Sequence, residues 1–204
     1  MARARTVHGL KPKGTVRANA RKIVAVRTDE FFAFAPALAD PTNVRELHDM
    51  RIAAKRLRYA LELFADALGP DTPACIERIK EFQEIVGDIH DHDVHADILR
   101  AHLETLAAAR ARTLADRAVQ TDEEIESFKE RCRAFITDDA WVAEQAALAA
   151  ALARTMRERR ERHTDLVARW EQWSAAGLRE QLDALSPAPL RKGRGDAAMP
   201  CPSS

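Results

Sequence analysis

The stretch Leu47-His48-Asp49-Met50-Arg51-Ile52-Ala53-Ala54-Lys55-Arg56-Leu57-Arg58-Tyr59-Ala60-Leu61-Glu62-Leu63-Phe64 reads as a helix with two opposed faces. At about 100° per residue with His48 at zero, Met50, Ala53, Leu57, Ala60, Leu61 and Phe64 fall between about 120° and 220°, an apolar stripe for a core. His48, Arg51, Lys55 and Arg58 fall on the other side, in a stripe about 15 Å long at the helical rise. Cations at i, i+3 and i+4 repel one another by a few tenths of a kcal/mol per pair. A helix needing only solubility would interleave acids with them.

Outward from this helix, punctuation sets the architecture. All nine prolines lie at or before Pro73 or at or after Pro187, so none interrupts the chain between them. That interval is filled by long helices, because proline is the residue that most strongly breaks them. Gly14 and Thr15 precede a first periodic segment ending near Pro36; Pro41, Thr42 and Asn43 introduce the second; Gly69, Pro70, Asp71 and Pro73 stop it. A third helix is expected from Pro73 toward residue 116, with Gly87 as its weak point. Residues 122–135 read as a short helix or ordered connection. Asp138 or Asp139 then caps a last segment through Leu185, kinked at Gly177. The expectation is an all-α, antiparallel helical bundle of about four long helices. Residues 1–13 read as a basic flexible segment, 14–185 as the helical domain and 186–204 as a disordered tail.

Composition agrees. The chain has 204 residues, 46% hydrophobic and 31% charged but only 5% aromatic, which suits one helix-rich domain and excludes an all-β fold. No apolar run approaches the ~20 residues of a membrane helix, so a cytoplasmic protein is expected. Cys75, Cys132 and Cys201 form no CxxC pair and read as reduced thiols.

The net charge of zero conceals a separation. Residues 1–58 carry 13 basic and 5 acidic side chains, net +8, whereas residues 62–97 carry ten acids and two bases, net −8. An elongated cationic stripe of this kind suits a polyanion, because guanidinium groups grip phosphate oxygens bidentately. Nucleic acid and inorganic polyphosphate are the two candidates. The few aromatics near the stripe favour reading of backbone charge over base identity.

At these residues the sequence resembles the conserved histidine α-helical domain (CHAD) family. The motif is a His followed three residues later by Arg and then by a basic cluster, here His48, Arg51, Lys55, Arg56, Leu57 and Arg58. A second block, Ile79 to Val94, matches at Gly87, Asp91, Asp93 and Val94. The resemblance covers residues 14–115 well and Leu148–Leu185 loosely. It implies a non-enzymatic helical module that binds inorganic polyphosphate in a basic groove, with His48, Arg51, Lys55 and Arg58 lining it, and an association with polyphosphate granules. Arg56 belongs to the same motif. Arg17 and Arg21, one turn apart on the first helix, and Arg157 and Arg160 on the last are further candidate ligands, whereas His163 falls on the core side. The family's usual domain has two four-helix halves, each with its own motif. With a single copy, either the chain binds weakly on an open face or two chains associate to recreate the two halves, and the homodimer is the favoured expectation.

Two other function classes remain open at this point. One is an adaptor for nucleic acid or an acidic partner. The other is a metal-dependent phosphohydrolase, for which His90, His92 and His95 with Asp91, Asp93 and Asp97 are the residues of interest. Adjacent positions on a helix point in different directions, so no metal is assigned to them. No Walker loop, dinucleotide-binding turn or nucleophile elbow is present, and neither a catalytic residue nor a cofactor is expected.

Overall fold

A computed structural model describes residues 3–186. Among them the helices are α1 (Val16–Phe32), α2 (Val44–Leu63), the single turn α3 (Ala65–Leu68), α4 (Thr72–Gln120), α5 (Ile125–Ile136), α6 (Asp139–Ala175) and α7 (Leu178–Leu185), with a 3-10 turn at Ala35–Ala39 between the first two. The described residues contain no strand. The fold is all-α. The tail expected to be disordered lies, from residue 187 onward, outside the described residues.

Local chemistry explains the boundaries. Thr15 Oγ1 accepts from the Ala18 amide at 3.2 Å to cap α1, and Asp138 accepts from the Trp141 amide at 2.9 Å to cap α6. Gly177 takes the left-handed conformation at φ 72°, a region glycine enters without a Cβ clash, and the last long segment divides there into α6 and α7. Gly87 does not act as expected: α4 passes through it unbroken for 49 residues. The penalty of one helical glycine, about 1 kcal/mol, is small beside the packing on either side of it.

The core gathers at one end of the molecule. Met50, Leu57 and Leu61 of α2 meet Ile79, Phe82, Val86 and Ile89 of α4, Phe31 of α1, Leu166 and Trp173 of α6 and Leu182 of α7. Phe31 lies edge-on to Phe82 at 4.9 Å and to Trp170 at 5.6 Å, a favourable aromatic arrangement. The α2 apolar stripe is buried as its periodicity predicts, except that Phe64 is only partly covered. Glu30 is buried as well, but its carboxylate accepts from the Arg5 amide at 2.7 Å and is paired with Arg27 and Arg56. Through Arg5, and through Gly9 and Lys11 bonded to Lys22 and Asn19, the segment before α1 runs back along that helix.

Beyond Ala96 of α4 and before Arg159 of α6 no residue is buried, and α5 has none either. These parts form an arm. Its seam is half-buried and held partly by cation–π contacts, with the Arg110 guanidinium 3.9 Å from the Phe135 ring and 4.6 Å from that of Trp141.

Candidate anion-binding cleft

Because the apolar stripe of α2 is committed to the core, its cationic stripe is carried to the open side, where α4 lies next to it. Arg51, Lys55 and Arg58 from α2 and Lys80, Gln83 and Glu84 from α4 line a cleft of about 350 Å3, with Ile52 and Tyr59 completing it. Lys55 Nζ lies 5.8 Å and the Arg58 guanidinium 5.1 Å from the centre of the Tyr59 ring, so two cations approach one aromatic ring. Arg58 Nε is 3.5 Å from Glu62 Oε1, an ion pair whose geometry leaves that buried N–H without a hydrogen bond. Lys80 is bonded to Glu77 at 2.8 Å. Among the described residues neither Arg51 nor Lys55 has an acidic partner. Arg51 instead lies over Gly87, where an added Cβ would come to 3.9 Å from its Nε.

His48 stands one turn beyond Arg51. Its ring centre is 4.9 Å from that of His90 on α4, at an interplanar angle of 45°, and its Nδ1 is buried without a hydrogen-bond partner among the described residues.

The other sequence-derived candidates do not line this cleft. Arg56 turns toward α1, where it pairs with Glu30 at 3.3 Å. Arg17 and Arg21 line a separate cavity with Asp71, Cys75 and Gln181. Arg157 is exposed, and Arg160 borders a third cavity between the start of α2 and the α4–α6 seam. His163 is buried, as its position on the core side predicts. Burial, and after it the charge of Arg159, pushes the His163 pKa below the ordinary imidazole value, with Asp40 acting weakly in the other direction. His92 approaches the Asp88 carbonyl oxygen at 2.6 Å and Glu158 at 3.5 Å, while His95 is exposed. No three metal-ligating side chains converge among the described residues.

Two features escape a reading of the sequence. Lys80 and His90 join the α2 stripe only because α4 lies in one register against α2. Arg159, inside the basic run Arg157 to Arg162, is buried and forms a forked contact with Asp93, Nε–Oδ1 2.6 Å and Nη2–Oδ2 3.4 Å. A signal for it exists: Leu152, Met156, Arg159, His163, Leu166, Trp170 and Trp173 follow alternating steps of four and three, the spacing of a packed seam.

Fold and site together define an all-α protein with a cationic interhelical cleft. Residues 3–100 match the family model described as the CHAD domain, so this stretch is similar to that domain. The stretch holds α1, α2 and the part of α4 that faces the cleft. The CHAD domain is linked in general to polyphosphate binding. The chain matches no curated protein and no solved structure. None of the described helices is long and apolar enough to cross a membrane.

Proposed function

We propose that this protein binds inorganic polyphosphate in the α2–α4 cleft without chemically altering it. The observation that carries this reading is the convergence of Arg51, Lys55, Arg58 and Lys80 on one open cleft, the first two without acidic partners. Unpartnered cations on a rigid backbone are already positioned for phosphate oxygens, so little side-chain ordering opposes binding. His48 supplies a further donor one turn away. Attraction is electrostatic and releases counterions, so affinity falls with added salt. The cellular setting this implies is the cytoplasm, at polyphosphate granules.

Homodimerisation belongs to the same proposal. Its support is the arm, where Ile98, Val119 and Val142 are exposed and the seam lacks a buried residue. Light scattering on the eluting full-length chain reads the mass directly, and a monomer at high micromolar concentration overturns this part.

The decisive experiment is titration of the full chain with polyphosphate of defined length. Replacing Arg51, Lys55 and Arg58 together by alanine should weaken binding at least 100-fold, on the order of 1 kcal/mol per lost phosphate contact, with the helical circular dichroism retained. Undiminished binding rejects the cleft. Competition by RNA and DNA at the same ionic strength completes the test, because equal competition would point to a general polyanion adaptor.

A further inference from the structure

The end of the cleft carries an arrangement that charge alone does not explain. Phosphate binding needs cations, and arginine and lysine provide them at every physiological pH. Yet the cationic line of α2 continues from Arg51 to an imidazole, and α4 sets a second imidazole against it, with ring centres 4.9 Å apart. The His48 Nδ1 has been removed from solvent without acquiring a partner, a costly state for a polar atom unless something else completes it. Imidazole is the side chain whose protonation changes around neutrality.

Several of the charged groups around the pair are engaged elsewhere. On α2, Arg45 and Arg51 lie one turn to either side of His48, and Asp49 adjoins it. On α4, Asp93 is held by Arg159 of α6, Asp88 by Arg162 of α6, and Asp91 is exposed beside His90. Also on α6, Glu158 faces His92. On α1, Glu30 is taken by Arg27 and Arg56, and in the turn before α2 Asp40 is bonded to Thr42. The pair therefore has Arg51 beside it and no acid bonded to either ring among the described residues.

Resting on the polyphosphate reading above, we propose that His48 and His90 form a proton-coupled end of the cleft, each imidazole taking up a proton as the polyanion binds, so that affinity rises as the pH falls from about 8 to about 6. Two positive charges this close, beside Arg51, repel one another in the free protein. A phosphate oxygen between them removes that repulsion, and both rings then act as donors. Linkage sets the sign: a ligand that binds the protonated form more tightly draws protons onto the protein, and its affinity increases on acidification.

The test is calorimetric titration of the full chain with long-chain polyphosphate, whose titrating end groups are a small fraction of its phosphates, at fixed ionic strength and at about pH 8, 7 and 6. At each pH two buffers of different ionisation enthalpy are used, so that proton uptake is read directly. Wild-type protein should bind on the order of tenfold more tightly at the lowest pH than at the highest, with net proton uptake. His90→Gln should reduce that ratio to about threefold and at least halve the uptake, and His48→Gln should act similarly. Circular dichroism at each pH confirms that the chain is folded; proton uptake by the wild-type chain keeps the inference testable if a variant does not fold. Wild-type affinity that is the same throughout, or a full pH response retained in both variants, overturns the proton coupling while leaving polyphosphate binding intact. Absence of binding at every pH overturns the functional reading and this inference with it.

Discussion

The two ends of α4 make different molecules out of one helix. Up to Ala96 it is wedged among α1, α2, α6 and α7, and Ile79, Phe82, Val86 and Ile89 are almost wholly removed from solvent. Beyond Ala96 it runs mainly against α6 and α5, and Leu103, Leu106, Arg110 and Leu114 are only half-covered. Periodicity does not distinguish the halves, since both carry apolar residues at helical spacing. What differs is the number of partner helices: several surfaces close the first seam, and the second stays open on one side. A helical pattern fixes which face turns inward, and its neighbours decide how much that face contributes.

Substitutions on α4 and its partners can break this contrast. Phe82→Ala should cost about 4 kcal/mol, because it empties the centre of the aromatic cluster; the same truncation in the arm, Phe135→Ala, should cost only about 1 kcal/mol, the scale of a partly exposed cation–π contact. Denaturant melts compare the two, and equal losses would mean that the arm is as well supported as the core. Next in size is Asp93→Ala, expected to cost about 3 kcal/mol by leaving the buried Arg159 guanidinium unpaired. A loss below about 1 kcal/mol would mean that the side chain escapes to water.

Smaller effects sharpen the same boundary. The depressed pKa of His163 means that the unfolded chain takes up a proton there more readily than the folded one. Its stabilising contribution is complete above about pH 6.5 and is lost as the pH falls through the lower folded value. Thermal melts across this range should show the loss, and His163→Gln should flatten it. Smallest is Gly87→Ala, expected to stabilise α4 by about 0.5 kcal/mol, since a methyl group there meets Arg51 Nε only at ordinary contact distance. Loss of stability in that variant would show that Arg51 needs the bare backbone.

The helices and the cationic stripe were legible because each depends on one segment. Pro73, Gly177 and Asp138 mark ends by local backbone chemistry, and the burial of Met50, Leu57 and Leu61 follows from spacing within α2. Lys80 and His90 were not legible as parts of the site, because the register of α4 against α2 is a property of neither helix alone. Arg56 shows the same limit from the other side: it sits in the basic motif, but Glu30 of α1 draws it away. Arg159 was hidden by its composition, since a run of four arginines within six residues resembles a solvated face unless the seam spacing is followed through it.

The continuity of α4 through Gly87 has a mechanical side. From His90 to Gln120 the helix extends about 45 Å at the ordinary rise per residue, so a tilt of about 5° where it borders the cleft displaces its far end by about 4 Å. A glycine that ended the helix would have absorbed such a tilt locally. As built, the rod that carries Lys80 and His90 also carries Arg110 and Val119, so any small tilt beside the cleft would be magnified at the tip of the arm.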